Sequence, residues 1–322
     1  MSKSFPVWLS LLLLIAVGCG GTEVEPEEWS VAQSINYGLV PRWSPDGIKI
    51  AFGDDRPGSL GIAIMGENSQ PELIPNLPPH NWDYCWSPDG AKIAFTSPAG
   101  SGDSLSGVWM VTVATHDLSR IYDRGRDVSW GDSGNALYFH IENPVTGPPG
   151  IYAVTVGDTL ARLIAGGGLK PQGRPLSNQV AYADGLIAGK LWISSEGTNP
   201  VEASPVGALH WDWSADGRYL FVVINNYTSG FVRGSLWRIH GDNPAILDSL
   251  TAYVVNSSTN RTGNQVVFSR NGGSTWLGIW INIDGVDTQI SNYGENPDLH
   301  PTQEKVVCNI TGGGIQILSR VK

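Results

Sequence analysis

Four-residue apolar stretches alternate with polar turns along this chain on a long, regular period. The sharpest instance is Trp43-Ser44-Pro45-Asp46-Gly47 followed by Lys49-Ile50-Ala51-Phe52, and it recurs almost unchanged over residues 86–95. Looser copies occupy residues 130–139 and 213–222, and three worn ones end at Tyr182, Phe268 and Cys308. The anchors 52, 95, 139, 182, 222, 268 and 308 lie 40 to 46 residues apart. After each comes another apolar run: 62–65, 108–111, 151–154, 191–193, 236–239, 279–281 and 315–318. Six units add a short further strand, at 72–74, 118–121, 161–164, 201–203, 245–247 and 288–290. No stretch holds a helical period.

The turn chemistry explains the pattern. Pro fixes φ, Asp bonds its own backbone and Gly supplies positive φ. The apolar tetrad behind the turn has no polar face, so it is a strand buried on both sides. Four short strands on a period of roughly 40–45 residues predict an all-β, seven-bladed β-propeller, with the Trp before each turn filling the seam between blades. The seventh unit has no fourth strand before Lys322, whereas residues 31–34 precede the first Trp with no unit of their own. The N-terminal strand is therefore expected to complete the last blade and close the ring.

The repeat Trp-Ser-Pro-Asp-Gly-x-x-Ile-Ala-Phe resembles that of TolB-type propellers, also found in the propellers of prolyl-oligopeptidase-like enzymes, and the resemblance spans nearly all of residues 29–322. It implies the fold and little about function. Two departures stand out: no α/β domain precedes the repeats, and no hydrolase domain follows them, so the peptidase activity is not implied.

Composition changes the picture at the N-terminus. Lys3, an apolar run from about residue 7 to 17 and Ala16-Val17-Gly18-Cys19 resemble a lipoprotein signal, the run being too short to span a bilayer at about 20 residues. Residues 1–18 are read as a signal peptide, Cys19 as the lipidated residue, 19–28 as a small, acidic tether, and 29–322 as the propeller. Gly20 after the cysteine resembles outer-membrane sorting. Forty Gly, twenty-one Pro and thirteen Trp suit a turn-rich β protein, and a net charge of −10 without a basic cluster argues against nucleic acid.

Catalytic motifs are sparse. Gly102-Asp103-Ser104-Leu105 matches the GDSL hydrolase motif, but no Asp-x-x-His follows it. Residues 269–276 resemble one Asp-box, with Asn271 in place of Asp. No Gly-x-Ser-x-Gly, His-Glu-x-x-His or phosphate-binding Gly-rich loop is present. Cys85 and Cys308 fall in non-adjacent blades and should be unpaired, and the six His are scattered.

Register supplies one constellation. Three residues before each Trp-equivalent lie Val40, Asp83, Asp127, Lys170, His210, Asn256 and Asn296. One residue before it lie Arg42, Cys85, Ser129, Gln172, Asp212, Ser258 and Asp298. So many polar groups on channel-facing strands must pair, hold water or meet a ligand. Asp83, Asp127, His210 and Asp212 are the candidates for a small-ligand or cation site at the channel mouth. The expectation is a lipid-anchored envelope module, probing a protein partner through loops 75–82 and 144–149, without a cofactor and without catalysis. The alternative is an enzyme or carbohydrate-binding protein using the channel mouth.

Overall fold

The computed structural model describes residues 28–59, 61–78, 83–97, 106–144, 147–185, 189–204, 207–225, 234–260, 262–271, 276–310 and 312–321. Among them, strands are interrupted by a single helical turn, Asp132–Gly134. The chain opens with β1 (Trp29–Ile35). The first antiparallel sheet then follows as β2 (Leu39–Trp43), β3 (Lys49–Asp54), β4 (Gly61–Gly66) and β5 (Glu72–Leu73). The second is β6 (Tyr84–Trp86), β7 (Lys92–Ser97), β8 (Gly107–Thr112) and β9 (Leu118–Tyr122). The third is β10 (Arg126–Gly131), β11 (Ala136–Ile141), β12 (Gly150–Thr155) and β13 (Arg162–Gly166). The fourth is β14 (Leu169–Gly173), β15 (Val180–Ala183), β16 (Leu191–Ser194) and β17 (Val201–Ser204).

A seven-stranded sheet comes next: β18 (Ala208–Trp213), β19 (Tyr219–Asn225), β20 (Gly234–His240), β21 (Asn243–Thr259), β22 (Gln265–Asn271), β23 (Trp276–Ile283) and β24 (Val286–Ser291). It is two arrays sharing β21, whose first part pairs with β20 and whose last residues, from Val254, pair with β22. Gly38, Gly125, Gly168 and Gly294 stand five positions before the Trp-equivalent, all at positive φ, where the chain turns into an inner strand. Val254 occupies that position here and the strand runs through, with Tyr253 at φ 64, although Ala208 at the same position begins a new strand, β18.

The last sheet is β25 (Glu295–Leu299), β26 (Lys305–Asn309) and β27 (Ile315–Arg320), with β1 hydrogen-bonded outside β27 from Trp29↔Arg320 to Ile35↔Ile315. The two ends of the chain thus share one sheet. Closure continues at the inner edge. Buried Asn309 accepts from the Val40 amide at 3.0 Å and donates to the Gly38 carbonyl at 3.0 Å, while Asp298 accepts from the Trp43 amide at 2.7 Å.

The core sits between sheets, not within one. Among the described residues, buried side chains form seven clusters, each drawn from two successive four-strand arrays, and one joins the last array (Val307, Ile315, Ile317) to the first (Ile50, Phe52). Phe52, Phe95, Phe139, Phe221 and Phe268 are among the largest fully buried side chains, each contributing about 2–3 kcal/mol by transfer. Three seam indoles repeat one bond to the array before them. Trp86 Nε1 donates to the Arg42 carbonyl (3.2 Å), Trp130 to Cys85 (3.2 Å) and Trp213 to Gln172 (3.1 Å).

The Ser-Pro-Asp-Gly turn is a closed hydrogen-bonded box. Ser44 Oγ donates to Asp46 Oδ1 (2.6 Å) and accepts from the Lys49 amide (2.9 Å), and Asp46 also accepts from the Ile48 amide (2.9 Å). The same box closes at Ser87/Asp89 and Ser214/Asp216. Its glycine differs in surroundings. A Cβ on Gly47 (φ 72) would lie 2.3 Å from the His300 ring, whereas on Gly90 (φ 69) the nearest atom is Pro45 Cδ at 3.7 Å. Gly90→Ala is expected to cost about 1 kcal/mol, for φ alone, and Gly47→Ala about 2–3 kcal/mol. Urea melts of the two variants compare them directly; equal losses would mean the His300 contact is slack.

Candidate functional site

Inner strands carry the polar residues because they are bulged. Register slips within β2, β10, β14, β18, β21 and β25, each a few residues before its Trp-equivalent. In four of them the residue three before that position sits at positive φ: Val40 (50), Asp127 (54), Lys170 (49) and Asn296 (46). A β-branched residue such as Val40 pays a steric cost there, which the Asn309 bond helps to hold. Bulges of this kind re-aim side chains near binding sites.

The bulged strands enclose a cavity of about 390 Å³. Its wall takes at least one residue from β2, β6, β10, β14, β18, β21 and β25, so it lies on the axis the sheets surround. Its charged and polar members include Arg42, Asp83, Gln172, His210, Asp212 and Asp298. Two carboxylates are tied to the walls. Asp298 accepts from the Trp43 amide and from Ser258 Oγ (2.8 Å), and Asp83 Oδ2 accepts from Thr96 Oγ1 (3.0 Å) and the Val128 amide (3.2 Å). Asp212 has the amide of Trp213 and, among the described residues, no side-chain donor. Arg42 donates to the Pro41 carbonyl (3.1 Å) and has no described carboxylate within ion-pair distance.

Electrostatics follow from enclosure. Burial, reinforced by the Asp298 charge and opposed by Arg42, raises Asp212 to about 7. Burial and then the Asp127 charge raise Asp83 to about 6. Burial also raises Asp298, against Arg42, the Trp43 amide and Ser258. His210 is pushed down to about 4 by burial and then by Arg42. Its Nε2 lies 3.0 Å from the Ser257 carbonyl, which only accepts, so Nε2 carries the proton and Nδ1 presents a lone pair. Near neutral pH the cavity holds a neutral imidazole, one guanidinium and carboxylates poised to gain or lose protons, a concentration of perturbed groups that marks functional sites.

Of the residues chosen from register, Asp83, His210 and Asp212 line the cavity. Asp127 does not: its Oδ2 lies 4.0 Å from His140 Nδ1, although its charge still acts on Asp83. Arg42 and Asp298 belong to the cluster as well; both stood in the same register sets, one before the Trp-equivalent, and were not chosen. Among the described residues no group of three His, Cys, Asp or Glu converges as a metal site. Cys85 and Cys308 are unpaired, and burial pushes the Cys308 thiol up to about 12. Cys19, the rest of the tether up to residue 27, residues 102–105, residues 272–275 of the Asp-box and parts of loops 75–82 and 144–149 lie outside the described residues.

No family model matches the chain, and no curated protein does. Its fold is similar to solved propellers. An oligogalacturonate lyase in complex with manganese aligns at TM-score 0.71 and 14% identity over 92% of this chain and 97% of that one. Oligogalacturonate lyase from Vibrio parahaemolyticus aligns at 0.70 and 13%, over 90% and 91%. TolB from Acinetobacter baumannii aligns at 0.55 and 17%, over 84% and 67%. The fold is thus that of a β-propeller, similar to those of TolB and the two lyases, and at these identities the likeness establishes the fold alone. It also corrects the expectation of a module without catalysis, because two of these structures are enzymes. The physical reason is that a propeller assembles its site from single residues on separate strands, so missing linear motifs exclude nothing.

Proposed function

We propose that this is a seven-bladed propeller, held to the cell envelope by a lipid on Cys19, whose axial cavity binds a small polar ligand. The blade count treats β21 as the outer strand of one blade and the inner strand of the next. The observation carrying the binding reading is the convergence of Arg42, Asp83, His210, Asp212 and Asp298 on one cavity while Asp212 and Arg42 lack ion-pair partners among the described residues. Carboxylates with raised pKa beside a neutral imidazole are also groups suited to move protons. The manganese in one similar structure does not carry over, since no three-ligand cluster is present among the described residues.

Thermal-shift measurements on the Cys19→Ser protein with small sugars, amines and uronates test this reading. At least one solute is expected to raise the melting midpoint by several degrees, with the size of the shift changed in Arg42→Gln. A midpoint indifferent to all of them would remove the cavity as a binding site. For the anchor, the parent protein should incorporate an alkyne-tagged fatty acid and partition into detergent; Cys19→Ser should do neither.

A further inference from the structure

We infer that the cavity selects a small organic ammonium ion that also carries oxygen acceptors, a solute of amino-sugar size, over uronates and divalent metals. This rests on the reading of the cavity as a ligand site. Charge comes first. Asp83, Asp212 and Asp298 share the cavity with one guanidinium, so with the carboxylates ionised the wall is left with excess negative charge. A uronate would add to that excess; a monocation offsets it.

Hydrogen bonding divides the ligand into two ends. Asp212 offers acceptor oxygens with no side-chain donor, and His210 Nδ1 offers a lone pair, because Nε2 is committed to Ser257. An ammonium group brings three donors and no acceptor, which matches that end. The other end is set by Arg42, which lines the same wall, gives one N–H to the Pro41 carbonyl and has no carboxylate partner among the described residues. A guanidinium only donates, so a ligand hydroxyl or ring oxygen fits there.

Size and metal chemistry narrow the class. About 390 Å³ is near the low end of the ~300–1,000 Å³ of ligand pockets, which suits one ring and not an oligosaccharide. A divalent ion would need several converging oxygens; no such group is present among the described residues, and Arg42 repels it. Protons compete with the ammonium ion for Asp212. The charged neighbours that set this competition are Asp83, Asp298, Arg42, His210 and Lys170, with Asp127 acting through Asp83.

Calorimetry and thermal shift on the full-length Cys19→Ser protein at pH 8 test the class with glucosamine and ethanolamine, against glucose, galacturonate and manganese chloride. Glucosamine is expected to bind at least tenfold more tightly than glucose or galacturonate. Its affinity should fall about tenfold at pH 5 and be lost in Asp212→Asn, with the fold of that variant checked by its melting curve. Equal or tighter binding of glucose, galacturonate or manganese would overturn the ammonium class while leaving the cavity as a site. Unchanged glucosamine binding in Asp212→Asn would overturn it as well. Silence from all five solutes would overturn both readings.

Discussion

Deleting residues 28–36 is expected to lower the melting midpoint by about 10 °C and to leave much of the protein aggregation-prone. The segment holds β1, paired with β27 along six residue positions, and the Val321 amide also donates to the Glu28 carbonyl at 2.8 Å. Trp29 packs on the cluster containing Leu299, Val306 and Leu318, and Ile35 packs on the one containing Phe52 and Ile315. Two partly buried apolar side chains at about 2 kcal/mol each, and ladder bonds at about 0.5–1.5 kcal/mol each less the chain entropy regained, give a loss of about 4–6 kcal/mol. Against a total of about 5–15 kcal/mol that is a large fraction, and in a domain this long each kcal/mol moves the midpoint by about 2 °C. Removing β1 also bares β27 as an open edge. Trp29→Ala, which keeps the ladder, should lose about 2 kcal/mol. A truncated chain melting like the parent would show that the sheet shared by the two chain ends carries no stability.

Much of this architecture was legible because the repeat writes it several times. Trp86 and Phe95 could be placed by analogy with Trp43 and Phe52, and the worn copies ending at Tyr182 and Cys308 fell into register once the spacing was known; all four are buried at seams. The join at β21 was not legible, since nothing in the repeat separates Val254, where the strand runs through, from Ala208, where a new strand begins. The cavity was half legible. Parity along a strand says which residues alternate, and so it named Asp83, His210 and Asp212. A bulge breaks parity, and with it the expectation for Asp127, which faces His140 instead. That Arg42 and Asp298 come together across the closure of the ring is a long-range fact, 256 positions apart in the chain and invisible to local pattern. Setting catalysis aside for want of short motifs failed for the same reason: such motifs report sites built on one loop, whereas this cavity is lined from separate strands.

Asp212→Asn should stabilise the protein, and do so far more at pH 8 than at pH 5. In the folded chain Asp212 titrates near 7, against about 3.9 when unfolded, so its folded-state pKa is raised. A carboxyl with a raised pKa favours folding while it is protonated in the fold, and that advantage disappears as pH rises towards 7 and levels off above it. Asp83, near 6, acts in the same direction over a lower range. The buried histidines oppose both. His140, His210 and His300 are lowered by burial, so stability rises as the unfolded chain loses its imidazole protons, up to about pH 6.5. Turn carboxylates such as Asp89, held down first by the Ser87 hydroxyl, matter only below about pH 4. In the parent the histidine gain and the Asp212 loss overlap, so the difference between variant and parent is what isolates Asp212. The amide cannot ionise, so the variant's advantage over the parent should grow by about 2–3 kcal/mol between pH 5 and pH 8. Chemical denaturation of both proteins across that range reads it out. An advantage of the same size at every pH would mean that Asp212 is an ordinary ionised carboxylate, and the cavity would then be wetter and less selective than its walls imply.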